Sequence, residues 1–71
     1  MEKLTRMANQ IADNFGAMSE GEATSSAADH LQRYWTPKMV SEIIAHAESG
    51  DSGLNLTAAR AIAELKRRSL L

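Results

Sequence analysis

Apolar residues near the start of the chain fall at Leu4, Met7, Ile11, Phe15 and Met18, in steps of three, four, four and three. That spacing traces one stripe on a helix of 3.6 residues per turn and predicts a first helix from Leu4, fraying or stopping near Gly16. Ser19 and Glu22 have the spacing of a capping box, in which the serine side chain takes the amide of the third helical residue and the glutamate reaches back. A second helix is expected to start near Glu20, with Ala23, Ala27, Leu31 and either Tyr34 or Trp35 facing inward. Small residues at its start and large ones at its end let a neighbour lie close at one end and hold it off at the other. Thr24, Ser25 and Ser26 leave a competing reading open, in which residues 23–28 form a mobile linker.

Thr36 and Pro37 mark a stop and a start together. The proline steers residue 36 away from helical angles and itself suits the first position of the helix that follows, so Thr36 is read as the N-cap. The third helix is expected from Pro37 to about Ser49, burying Met39 or Val40, Ile43, Ile44 and Ala47, with Gly50 as its C-terminal cap. "SGDSGLN" at residues 49–55 carries strong turn chemistry in Gly50, Asp51, Ser52 and Gly53. Asn55 then caps a last helix from Leu56 to about Arg68, with Leu56, Ala59, Ile62 and Leu65 inward. The sum is an all-α fold, a small compact bundle of three to four short helices forming one domain over residues 1–71.

Composition narrows what such a bundle does. A chain of 71 residues buries only roughly 60–65% of the surface its unfolded form exposes, so it gains from a partner. It has no cysteine, which excludes disulfides, thiolate-bound zinc, iron–sulfur ligation and a cysteine nucleophile. No continuous apolar segment reads as a signal peptide or a membrane span, and the expected location is cytoplasmic. His30 and His46 are too far apart for the one-turn pair of zinc proteases. "GDSG" at 50–53 matches the letters around a chymotrypsin-like nucleophile, but a chain this short has no room for the double barrel that gives them meaning. No catalytic residue, metal ligand or cofactor-binding residue is therefore assigned.

The net charge is −1, against the positive excess usual in nucleic-acid binders. Residues 1–55 carry eight acids and four bases, whereas residues 56–71 carry Arg60, Lys66, Arg67 and Arg68 against Glu64. A basic helix C-terminus is first of all a favourable match to the helix dipole. A helix-turn-helix regulator is still a rival, although no helix begins with the several Arg, Lys, Asn or Gln side chains that read bases. A helical adaptor or homodimer is the other, and self-association in isolation stays open.

Three blocks carry a family resemblance: "KLTRMANQIADNF" at 3–15, "HLQRYWTPKM" at 30–39 and "SGLN" at 52–55. Their order and spacing resemble the delta subunit of the cytoplasmic, molybdenum-containing, NAD-dependent formate dehydrogenases. Thr36, Val40 and Leu56 stand where that family often has an acid, an arginine and a proline, and Thr36 and Asn55 still serve as caps. The resemblance implies a non-catalytic accessory subunit that supports assembly or stability by docking on the alpha subunit. In that complex formate is oxidised at a bis-pyranopterin molybdenum centre in alpha, and electrons pass through iron–sulfur clusters and FMN to NAD in the beta and gamma subunits. This chain is expected to bind none of these groups.

For the docking face, Tyr34, Trp35, Lys38 and Met39 are expected to form one surface, with His30 and Arg33 at its edge. Aromatic and arginine anchors carry much of the energy in many interfaces. For Trp35 a place in the core competes evenly with this reading. Met7, Asn9 and Gln10 form a second candidate set, where two amides beside the apolar stripe either satisfy partner backbone groups or face water.

Overall fold

Local signals set the helix ends first. The computed structural model describes residues 2–50 and 52–69, and contains four helices and no strand among them: α1 Glu2–Asn14, α2 Glu20–Tyr34, α3 Pro37–Ala47 and α4 Leu56–Ser69. The mobile-linker alternative for residues 23–28 falls, because they lie inside α2. Ser19 Oγ accepts from the Glu22 amide, and its hydroxyl donates to Glu22 Oε1 at 2.9 Å. The glutamate thus closes on the serine side chain rather than on its backbone. Thr36 Oγ1 accepts from the Met39 amide at 3.2 Å, with Pro37 at the first helical position. Asn55 Oδ1 accepts from the Ala58 amide at 2.8 Å and so caps α4.

α1 ends earlier than its apolar stripe. Phe15, Gly16 and Met18 each donate a backbone bond three residues back, and this tight turn delivers the chain to Ser19. α3 ends at Ala47, with Glu48 as its C-cap residue in place of Gly50. Gly50 and Gly53 instead take positive φ, 101° and 75°, in the connection to α4, where a side chain would be strained. Asp51, read above as a turn residue, lies outside the described residues.

The core is built around alanine. Ala8 and Ala12 of α1, Ala23, Ala27 and Ala28 of α2, and Ala58 and Ala61 of α4 are buried, and Leu31, Ile43 and Ile62 are the largest fully enclosed side chains. Alanine at a crossing lets backbones approach closely, so the larger residues of α1 (Leu4, Met7, Ile11) flank the contact half-buried instead of occupying it. Met18 is 44% exposed and Leu56 63% exposed, so neither faces inward as its spacing predicts; Ala58 and Ala61 take the inner positions of α4 with Ile62 and Leu65.

α2 and α4 make the most extensive packing in the molecule. They run parallel: Glu20 pairs with Arg60 near their starts, and Asp29 pairs with Arg68 near their ends. Both pass from alanine to large residues in that direction. α3 packs at the large end, where Trp35, Pro37, Val40 and Leu65 line one cleft.

Candidate partner-docking surface

The two-residue link between α2 and α3 separates two aromatic neighbours into different environments. α2 ends at Tyr34, and the Trp35 amide closes onto the Leu31 carbonyl at 3.0 Å. The Trp35 indole turns inward and is 7% exposed within the core cluster, whereas Tyr34 is 66% exposed. Trp35 therefore anchors the corner from inside and offers almost no surface to a partner. Met39 is half-buried against the same core.

What remains outside forms one patch. The His30 and Tyr34 rings lie one turn apart on α2, with centroids 4.8 Å apart and planes tilted by 48°. They line a groove of about 620 Å³ with Phe15, Ser26, Asp29, Gln32 and Arg33. Arg33 and Lys38 are exposed on either side of the link. Among the described residues neither has a carboxylate within ion-pair distance.

The second candidate set divides. Asn9 is committed to the fold: its Nδ2 donates to the Gly53 carbonyl at 3.1 Å, and its Oδ1 accepts from the Asn55 amide at 2.9 Å. Asn55 Nδ2 in turn donates to Asp13 Oδ1 at 3.3 Å. This clasp ties the connection between α3 and α4 onto α1. Met7 packs half-buried against the core, and Gln10 is exposed. Asn9 thus satisfies this chain's own backbone groups rather than a partner's. Sequence reasoning missed it, although an Asn in the middle of a helix is itself a signal, since it lowers helix propensity without local return.

His46 joins the same region, its Nε2 donating to the Ser52 carbonyl at 2.9 Å. It is a structural hydrogen-bonder for the loop. The cations of α4 are likewise engaged: Arg60 with Glu20, Lys66 with Glu48, Arg67 with Glu64, and Arg68 with Glu64, Asp29 and Gln32. The Glu64 carboxyl is held down at about 2, chiefly by hydrogen bonds from Arg67 and then Arg68. The hydrogen bond to Glu64 raises Arg67 above the usual guanidinium value, and Arg68 is raised first by Asp29 and then by Glu64.

The donor set does not suit an iron–sulfur cluster or sulfur-ligated molybdenum. The chain has no cysteine, and among the described residues no three His, Asp or Glu side chains gather as a metal site. Among the same residues no helix is long and apolar enough to cross a membrane. The family model described as NADH-dependent formate dehydrogenase delta subunit FdsD matches residues 3–62. No curated protein and no solved structure matches the chain.

Proposed function

Because the chain belongs to the NADH-dependent formate dehydrogenase delta subunit family, we propose that it is the complex's non-catalytic accessory subunit, docking on the alpha subunit to support assembly or stability. Formate oxidation, and the molybdenum, iron–sulfur, FMN and NAD groups it requires, then belong to the alpha, beta and gamma subunits. A cytoplasmic complex of this kind also suits a cysteine-free chain. The observation that carries the docking reading is the corner of exposed Arg33, Tyr34 and Lys38 beside half-buried His30, none of which belongs to the core. Trp35 anchors the backbone of that corner from within, so the ordering lost when a partner covers it falls on the exposed side chains.

The test is reconstitution of the full chain with an alpha–beta–gamma complex prepared from cells lacking it. Stoichiometric addition, with higher molybdenum content or slower loss of formate oxidation on storage, supports the reading. A chain that stays separate, while the complex assembles and keeps its molybdenum without it, overturns it. Tyr34→Ala is expected to lower association at least about tenfold, as loss of an interface anchor does, and to leave the helical signal unchanged.

A further inference from the structure

Positive charge is distributed in two ways on this molecule. On α4 all four cations have carboxylate partners within the chain. Lys3 and Arg6 of α1, and Arg33 and Lys38 at the α2–α3 corner, have none among the described residues, and only the corner pair adjoins exposed aromatic surface. The carboxylate in the groove lining, Asp29, is already held by Arg68 Nη1 at 2.7 Å. Arg33 gains a little from the dipole at the end of α2, but Lys38 lies in the first turn of α3, where the dipole disfavours a cation and no acid shares the turn; Glu42, one turn on, is not within ion-pair distance.

The two cations flank the residues that carry the exposed aromatic surface. They are five positions apart in the chain, so their Cα atoms lie no more than roughly 18 Å apart. Exposed Tyr34 lies between them in the chain; Arg33 and Tyr34 line the groove with His30 and the half-buried Phe15, and Lys38 stands outside that lining, across the link. Such a surface is complementary to a segment that is negative at its flanks and apolar at its centre. A nucleic acid would also answer the charge. It would need a longer run of free cations than two, and it would meet a chain that is acidic over its first 55 residues.

Resting on the docking reading above, we propose that the corner receives an acidic segment of the partner subunit, its carboxylates paired with Arg33 and Lys38 and an apolar side chain seated against Phe15, His30 and Tyr34. Charge then steers and registers the complex, and the ring-lined groove holds it.

Titration of the full chain against the complex lacking it, at low and high salt, reads both contributions. The double variant Arg33→Glu, Lys38→Glu is expected to weaken association at least about tenfold and to remove most of its salt dependence. Arg6→Glu, which reverses another exposed cation on α1, is expected to change neither. A photo-crosslinker at position 38 should mark a segment containing Asp or Glu, and changing those acids to Lys should restore binding to the double variant. Both altered side chains are exposed, and circular dichroism verifies that the helices persist. Association that ignores salt and the double variant, yet is lost in Tyr34→Ala, overturns the acidic segment and leaves docking intact. A wild-type chain that does not associate overturns the docking reading itself. Salt-sensitive retention on duplex DNA that vanishes in the double variant overturns the proposal in favour of a nucleic acid.

Discussion

Replacing Asn9 by Ala removes two hydrogen bonds that bridge α1 to a segment more than forty residues away, the 3.1 Å bond to the Gly53 carbonyl and the 2.9 Å bond from the Asn55 amide. The first is exposed and open to replacement by water, and the second is part-buried, so both fall in the ordinary range for a net hydrogen bond and not above it. At about 1 kcal/mol per bond the loss is about 2 kcal/mol. Alanine's better helix propensity returns about 0.5 kcal/mol of it. A domain of this length has a total stability of roughly 4–10 kcal/mol, so the change is a large fraction. With about 4–8 °C per kcal/mol at this size, a net loss of about 1.5 kcal/mol lowers Tm by roughly 6–12 °C. Thermal unfolding of the isolated chain followed by far-UV circular dichroism measures this, with Gln10→Ala as the exposed neighbour expected to stay within about 0.5 kcal/mol. A cycle with Asn55→Ala should be additive to within about 0.5 kcal/mol, because each side chain bonds the other residue's backbone, which alanine retains. If Asn9→Ala unfolds within about 2 °C of Gln10→Ala, the clasp contributes nothing and the assignment of Asn9 to the fold is refuted.

Trp35→Ala opens a large cavity beside Leu31 and Leu65 and is expected to cost about 3–5 kcal/mol, enough to leave much of the isolated chain unfolded; a native-like urea midpoint would refute its place in the core. Leu56→Glu places an acid in the first turn of α4 one turn before Arg60 and is expected to stabilise by about 0.5 kcal/mol, whereas an inward Leu56 would make it destabilising by several-fold more. Glu64 has its carboxyl lowered from 4.5 to about 2, so it contributes stability that is present above pH 4.5 and is lost as pH falls toward 2. Glu64→Gln is therefore expected to flatten the acid limb of the stability–pH curve in that window, and added salt to weaken the wild-type limb, because the group is screened by solvent.

The helix starts were legible because each rests on contacts within three or four residues. Ser19 with Glu22, Thr36 with Met39, and Asn55 with Ala58 all appear in the structure as hydrogen-bonded caps. The inner face of α2 was legible for a related reason, since Ala23, Ala27 and Leu31 recur at helical spacing and nothing on the same stripe competes with them. On α1 the buried positions lie one residue past the apolar stripe, whereas on α4 the reading held for Ile62 and Leu65 and missed Ala58 and Ala61 in favour of Leu56 and Ala59. Hydrophobic spacing gives weight to the largest side chains, but where helices cross most closely only Ala8, Ala12, Ala58 and Ala61 fit, and the larger residues move to the flanks.

The candidate surface divides along the same line. The sequence by itself determined that a boundary falls at Thr36 and Pro37, that one ring of Tyr34 and Trp35 turns inward, and that His30, Arg33 and Lys38 gather around that boundary. Those conclusions follow from proline stereochemistry and helical period, which are local. Only the tertiary structure decided that Trp35 is the buried ring, that Asn9 answers Gly53 and Asn55, and that Arg68 takes Asp29 while Arg33 and Lys38 stay unpaired among the described residues. Each of these depends on which helix lies beside which, and the parallel packing of α2 and α4, with α3 at their large-residue ends, supplies that. Partners 39 to 46 residues apart meet through packing alone, and no period or cap within one helix carries that information.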